Sequence, residues 1–391
     1  MRKKLLAASL MGLFAAGAAH AQSSVTLYGT LDAGVLYVNN VAGSHTWLQG
    51  TSALSPTNFG LRGVEDLGGG LKAIFNLESG FNLNNGRLAN DGALFGRKAY
   101  VGLQSDQFGA LTLGRQFDSV VDFLGPVSAA GQNGDVLLAG HPFNNDNVAG
   151  MFSLSNTVKY TSANYSGLQF GGLYGFSNSP EFANNRSWSL GASYNNGPLN
   201  VGAAYLQINN NPNAAFNLSG TLDPNVANMV AQTQRTYGVG GTYAFGPAKI
   251  GLLFTRSQYF DLEGIAAGGI SPSITTGQGL NINNYEINGT YNLTPAFALL
   301  GSYTFTDGKG AGGGVTGGNQ HPKWHTAMLA GDYSFSRRTD VYIAAVYQHA
   351  SGSLGLNPDG TPAANVAAIN TLPPSSTQNQ VAATIGLRHR F

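Results

Sequence analysis

The chain reads as all-β, a roughly 16-stranded antiparallel transmembrane β-barrel with one long connector inserted as a constriction loop. Three observations predict it. Segments of about ten residues alternate apolar and polar side chains, the pattern of a strand with one oily and one wet face. Outside the N-terminus there is no run of about eighteen apolar residues, which excludes helical membrane spans. Connectors alternate between short and long, as when tight turns gather at one end of a barrel and loops at the other.

Met1–Ala21 has the layout of a secretory signal: basic Arg2, Lys3 and Lys4, an apolar stretch from Leu5 to Ala18, then Ala19-His20-Ala21 as a small-x-small cleavage site. It holds three of the 20 basic residues and none of the 19 acidic ones, so residues 22–391 carry a formal charge of −2. That is no charge for a nucleic-acid partner. Cysteine is absent, so no disulfide or thiolate metal site enters the reading.

From Ser24 to Tyr37, Val25, Leu27, Leu31 and Val35 share one face and Thr26, Tyr28, Thr30 and Asp32 the other. After a polar loop, Phe59 and Leu61 alternate with Asn58 and Arg62. Asp66-Leu-Gly-Gly-Gly70 is a turn in which glycine supplies positive φ. Ala73, Phe75 and Leu77 then face outward, with Lys72, Asn76 and Glu78 inward. The unit recurs in Leu168–Phe176, Trp188–Tyr194, Tyr237–Phe245, Tyr285–Tyr291 and Phe297–Phe305. Short connectors include Gly246-Pro247 and Ser336–Thr339; long ones are Ile208–Arg235, Gln258–Asn281, Asp307–Pro322 and Ala350–Asn379. The last stretch, Gln380–Phe391, alternates to the final residue, so its end should pair with the first strand. Lipid tolerates no unpaired backbone, and the sheet must close.

A barrel this wide leaves a water-filled lumen, and what narrows it decides what passes. The connector from about Phe117 to Phe152 carries Val120, Val121, Phe123, Leu124, Val136, Leu137 and Leu138, more apolar residues than a solvated loop needs. Folding inward against the wall would bury them. Asp118, Asp122, Asp135 and Asp146 lie on the same connector.

Several long motifs carry a resemblance: Ser24–Asp32, Gly60–Ala73, Gly96–Leu103, Leu113–Asp118, Thr157–Ser162 and the terminal Arg390-Phe391. Through them the chain resembles the general trimeric porins of the Gram-negative outer membrane, in their β-proteobacterial branch. The resemblance implies a homotrimer, a third loop folded into the pore, and passive diffusion of ions and small hydrophilic solutes. A substrate-selective channel of the same architecture is the second reading. It also implies contact with outer-membrane lipid and lipopolysaccharide, and a terminal strand ending in Phe391 that the barrel-assembly machinery reads. Such porins set basic wall residues against acidic residues on the inserted loop. Carried over by position, Arg97 matches one wall arginine, while Asn58 and Ser153 stand where relatives commonly have the other two. Arg62 and Lys159 add positive charge, Arg115 ends its strand where the chain turns inward, and Glu78, Asp118 and Asp122 form the acidic side. With Arg97 facing in, Lys98 is expected to face out.

Other signals are weaker. His321 and His325 are four apart, but Pro322 between them disfavours a helical metal pair. Gly308–Gly314 lacks the Lys-Ser/Thr of a phosphate loop and reads as an external loop. No nucleophile elbow is present. No catalytic residue, cofactor or metal is expected.

Overall fold

The computed structural model describes residues 23–90, 92–131, 136–178, 180, 186–209, 228–266, 278–311, 321–356 and 362–391. The Met1–Ala21 signal reading and Asp135 lie outside the described residues, as do residues 312–314 of the Gly308–Gly314 loop, whose first four residues continue a strand instead. The strands are β1 (Ser24–Val41), β2 (Ser44–Thr51), β3 (Asn58–Gly68), β4 (Leu71–Gly80), β5 (Lys98–Ser105), β6 (Gly109–Gln116), β7 (Leu154–Thr161), β8 (Leu168–Gly175), β9 (Ser187–Asn196), β10 (Leu199–Asn209), β11 (Asn228–Phe245), β12 (Ala248–Ala266), β13 (Gln278–Thr294), β14 (Phe297–Ala311), β15 (Lys323–Ser334), β16 (Thr339–Ser351), β17 (Ser353–Leu356), β18 (Pro362–Ala364) and β19 (Asn379–Arg390). One short helix, α1 (Ser119–Phe123), opens the long connector after β6.

Consecutive strands pair antiparallel around the molecule, and β19 pairs with both β16 and β1. Closure extends to the last residue: Gly29 N donates to Phe391 O and Phe391 N to Gly29 O, each at 3.1 Å. Glycine is required at position 29, since a Cβ there would lie 2.6 Å from the Phe391 ring and 2.5 Å from Asn58 O. On its other edge, β1 pairs with β3 through Ser24–Thr30 and with β2 through Ala33–Val41. The two share one position beside β1, and the closed antiparallel barrel is 16-stranded; β17 and β18 form a separate small hairpin.

Val25, Leu27, Val35, Val101, Leu190, Val239, Leu252, Ile343 and Ile385 all point outward and are exposed, while their sequence neighbours face a polar interior. Outward aromatics gather at both ends, Tyr243, Phe245, Tyr333 and Phe335 near the short turns and Trp188, Tyr205, Tyr237, Tyr285 and Phe305 toward the long loops. Such girdles suit the two headgroup layers of a bilayer.

Two details differ from expectation. The polar loop after Tyr37 contains β2, and only residues 52–57 break the strand and turn inward. The long connectors are also shorter than alternation suggests, because β10–β14 continue beyond the apolar belt with polar pairs such as Gln207↔Arg235 and Gln258↔Asn281. There the outer face turns polar while Ile208, Met229, Ala231, Leu262, Leu280 and Ile282 are buried on the inner side, so the alternation inverts although the ladder persists.

Candidate pore constriction

The connector between β6 and β7 begins at Asp118, whose carboxylate caps α1 by accepting from Val120 N at 2.7 Å. Val120, Phe123, Leu124 and Val127 are buried against Leu173, Ala204, Leu206 and Leu253 of the wall. The loop can lie this close because the inner wall is notched with glycine: a Cβ at Gly191 or Gly202 would strike Phe123, and one at Gly240 would come within 2.9 Å of Val127. Farther on, Val136, Leu138 and Ala139 pack against Leu36, Tyr342 and Ala344 on another part of the wall and against Ile369 of the connector before β19. The loop therefore crosses the lumen.

Polar anchors fix its course. His141 is fully buried, with Nδ1 2.6 Å from Asp146 and Nε2 3.0 Å from Glu286 on β13. Glu286 also accepts from Ala129 N at 2.7 Å, and Asp146 from Thr255. Burial alone would lower the His141 pKa, but the two carboxylates raise it to about 10, so the ring is an imidazolium at neutral pH. Asp146 is correspondingly held below the usual range despite burial. Two other segments brace the loop: Leu137 N donates to Leu54 O at 3.1 Å, and Asn370 Nδ2 to Leu137 O at 2.8 Å.

Two cavities lie open beside the loop. One, about 500 Å³, runs past Tyr100, Asp122 and Lys159 toward the Ser105–Gly109 turn. The other, about 360 Å³, lies among Tyr28, Asn58, Glu78, Arg97, Val121 and Arg390. Lys98 and Phe117 line both and so stand at their boundary. The Arg97 and Lys98 cations lie 5.2 and 5.4 Å from the Phe117 ring.

Glu78, Arg97 and Lys98 meet here. Glu78 takes Arg97 Nε at 2.6 Å and Lys98 Nζ at 3.0 Å, and accepts from Tyr28 OH at 2.7 Å. Asp122 on α1 forms an ion pair with Lys159 of β7. Arg62 points into the lumen, its guanidinium 5.4 Å from the Tyr28 ring, with no acidic partner among the described residues. Asp118 does not reach the opening: it is fully buried, also accepts from Asn147 Nδ2 at 2.7 Å, and burial pushes its pKa up to about 6. Arg115 lines neither cavity; it is buried and ties Gly96 O (2.7 Å) to Ser155 Oγ (2.6 Å) where β6 bulges. Ser153 donates to Arg97 O at 2.6 Å.

The expectation for Lys98 is corrected. Val101 and Leu103 point outward, so Lys98, Tyr100 and Gln104 point inward; Arg97 precedes the strand and escapes its parity. Strand parity within β5 was the available signal. Arg388 and Arg390 lie on the polar side of the alternating terminal strand. Arg388 is buried between Asp340 (3.0 Å) and Asp332 (2.9 Å), and Arg390 bonds Asp340 at 2.6 Å. Those acids lie on β15 and β16, and only the register of β19 brings them together.

A profile of the Gram-negative porin family matches residues 6–353. An outer membrane porin protein of Bordetella pertussis is 34% identical, over 89% of this chain and 94% of its own length. Outer membrane porin protein 32 of Delftia acidovorans is 27% identical over the full length of both. Among solved structures, the anion-selective porin from Comamonas acidovorans superposes with a TM-score of 0.70 at 23% identity, covering 95% of this chain and all of that one. The trimer form of OmpT from Vibrio cholerae gives 0.64 at 18% identity, covering 94% and 99%. A closed barrel with a polar lumen, an inserted loop and a family match across most of its length together place this chain in the Gram-negative porin family, whose members are channels of the outer membrane.

Proposed function

We propose that solutes cross this porin past an eyelet bounded by Arg97, Lys98, Glu78 and Phe117, with Asp122 and Lys159 on the short-turn side, and that the eyelet is weakly anion-preferring. The observation that carries this is the pairing pattern. Each carboxylate lining these two cavities, Glu78, Asp106 and Asp122, has a cation within 4 Å, whereas the inward-facing Arg62 and Lys249 have no acidic partner among the described residues. Contact pairs act at range as dipoles, and screening at physiological salt extends over about 8 Å, so the uncompensated cations set the sign. Their small number keeps the preference weak and the channel a general diffusion pore.

Reversal potentials of single channels in a salt gradient test the reading. The wild type should show a small anion-directed potential that Arg62→Gln reduces or reverses. A cation-directed wild type, or an Arg62→Gln channel with unchanged potential, refutes it. A conductance that saturates and is blocked by one solute supports the substrate-selective alternative.

The assembly we infer is a homotrimer, as in the trimer form of OmpT, and crosslinking in native membranes tests it. The paired terminal strand ending in Phe391 is the segment offered to the assembly machinery, and the outward aromatic girdles meet bilayer lipid with phosphorylated glycolipid in the outer leaflet.

A further inference from the structure

We propose that His325 of β15 and His349 of β16 form a site for a late first-row divalent ion, Cu2+, Ni2+ or Zn2+, on the outer surface near the long-loop end. The site goes beyond the channel function and does not depend on it. In the sequence His325 stands four residues from His321, but four residues of extended chain span roughly 13 Å, too far for one ion to bridge. Register supplies another partner. His325 lies directly opposite His349 in the antiparallel pair, where facing Cβ atoms stand about 4.5–5.5 Å apart. His325 is in step with exposed Leu329 and His349 with exposed Tyr347 and Ile343, so both rings emerge on the outer face.

Their neighbours hold them in a ligating pose. Asn379 Oδ1 only accepts, and it takes both His349 Nδ1 at 2.9 Å and Tyr347 OH at 2.7 Å. The His349 proton therefore sits on Nδ1, and Nε2 keeps its lone pair. His325 Nδ1 is 2.6 Å from Tyr303 OH, whose oxygen accepts in the same sense when Nε2 binds an ion. Hydrogen bonds of this kind set tautomer and ring plane in metal-binding histidines. Phe305 backs the His325 ring, with centroids 4.9 Å apart.

The two imidazole centroids are 6.5 Å apart. An ion sits about 2.0–2.1 Å from each nitrogen, so rings at this separation reach a single ion between them. Both side chains are half-exposed, which leaves the remaining coordination positions to water. Paired neutral imidazoles favour late first-row ions, Cu2+ most of all, over the oxygen-seeking Ca2+ and Mg2+. Once bound, the ion ties β15 to β16 beside the long loops.

The test titrates untagged full-length protein, stripped of metal and held in neutral detergent, with Cu2+ alone while electron paramagnetic resonance is recorded. Wild type should bind one Cu2+ per chain with a spectrum showing two nitrogen ligands, displaced by Zn2+ and untouched by Ca2+ or Mg2+. H325Q and H349Q should each weaken binding about a hundredfold and leave at most one nitrogen in the spectrum. N379A keeps both imidazoles but frees the His349 ring, so affinity should fall about tenfold with the two-nitrogen spectrum retained. H321Q and H45Q should bind as wild type does. Acidification should release the ion, because a protonated imidazole has no lone pair to give. A wild-type spectrum with fewer than two nitrogens, unaltered affinity in H325Q or H349Q, an equal loss in H321Q, or displacement by Ca2+ would each overturn the proposal. Single-channel conductance, read in parallel, should be normal in every variant. Intact channels that bind no ion therefore separate failure here from failure of the pore reading.

Discussion

At the scale of residues, loop position depends on a few buried charges. His141 bridges Asp146 and Glu286 with no exposure to solvent. Removing the cation leaves two buried carboxylates uncompensated, so His141→Gln should destabilise the barrel by about 3–5 kcal/mol, measured by denaturant unfolding in detergent. The raised pKa makes this contribution complete below the ordinary histidine value of 6.5 and lost as pH climbs through about 10. Asp118 has the opposite sense. Its folded pKa lies near 6, above the ordinary 3.8, so the folded state takes up a proton between those values and gains stability as pH falls through 6. Asp118→Asn should abolish that gain, and melting curves of the two proteins between pH 4 and pH 7 should converge or diverge accordingly. Neither role was legible in the sequence, where Asp118 read as an eyelet acid. Nothing in a linear pattern tells a carboxylate that caps a buried helix from one that faces water.

At the scale of elements, the inserted loop and the wall are fitted to each other. α1 is only five residues long and would not persist alone. It is held by apolar burial on one side and by the wall glycines beneath it. Gly191→Leu should displace Phe123 and push the loop toward the opening, and single-channel recording should then show lower or unsteady conductance with the barrel still folded. The apolar excess in Phe117–Phe152 announced inward folding before any coordinates, because water cannot accommodate so many large aliphatic side chains cheaply. The inner-wall glycines were visible as well, on the polar side of each alternating segment, but read only as small. That they form a track required the relative register of β9, β10 and β11. Likewise, the Arg97–Lys98 error came from extending strand parity to a residue before the strand begins.

At the scale of the molecule, closure concentrates at one seam. Residues from the two ends of the chain share backbone bonds between Gly29 and Phe391, and the β1–β19 register runs from Thr30↔Arg390 to Val38↔Ala382. Deleting Phe391 removes both terminal bonds and the ring that fills the space over Gly29. The expected outcome is a lower yield of heat-resistant barrel on refolding, followed by gel mobility, with near-normal conductance in those channels that do form.

Alternation by itself determined the strand faces, the closed barrel and the wet lumen, because period-two chemistry is local and every strand states its own orientation. Composition of the long connector determined that it turns inward. Which charges meet was decided only by tertiary structure, since Glu78 with Arg97 and Lys98, Arg388 with Asp340, and His141 with Glu286 are joined by register and loop path across the barrel. Faces follow from the nearest neighbours in the chain, whereas ion pairs follow from how distant strands slide past one another, and no single segment records that.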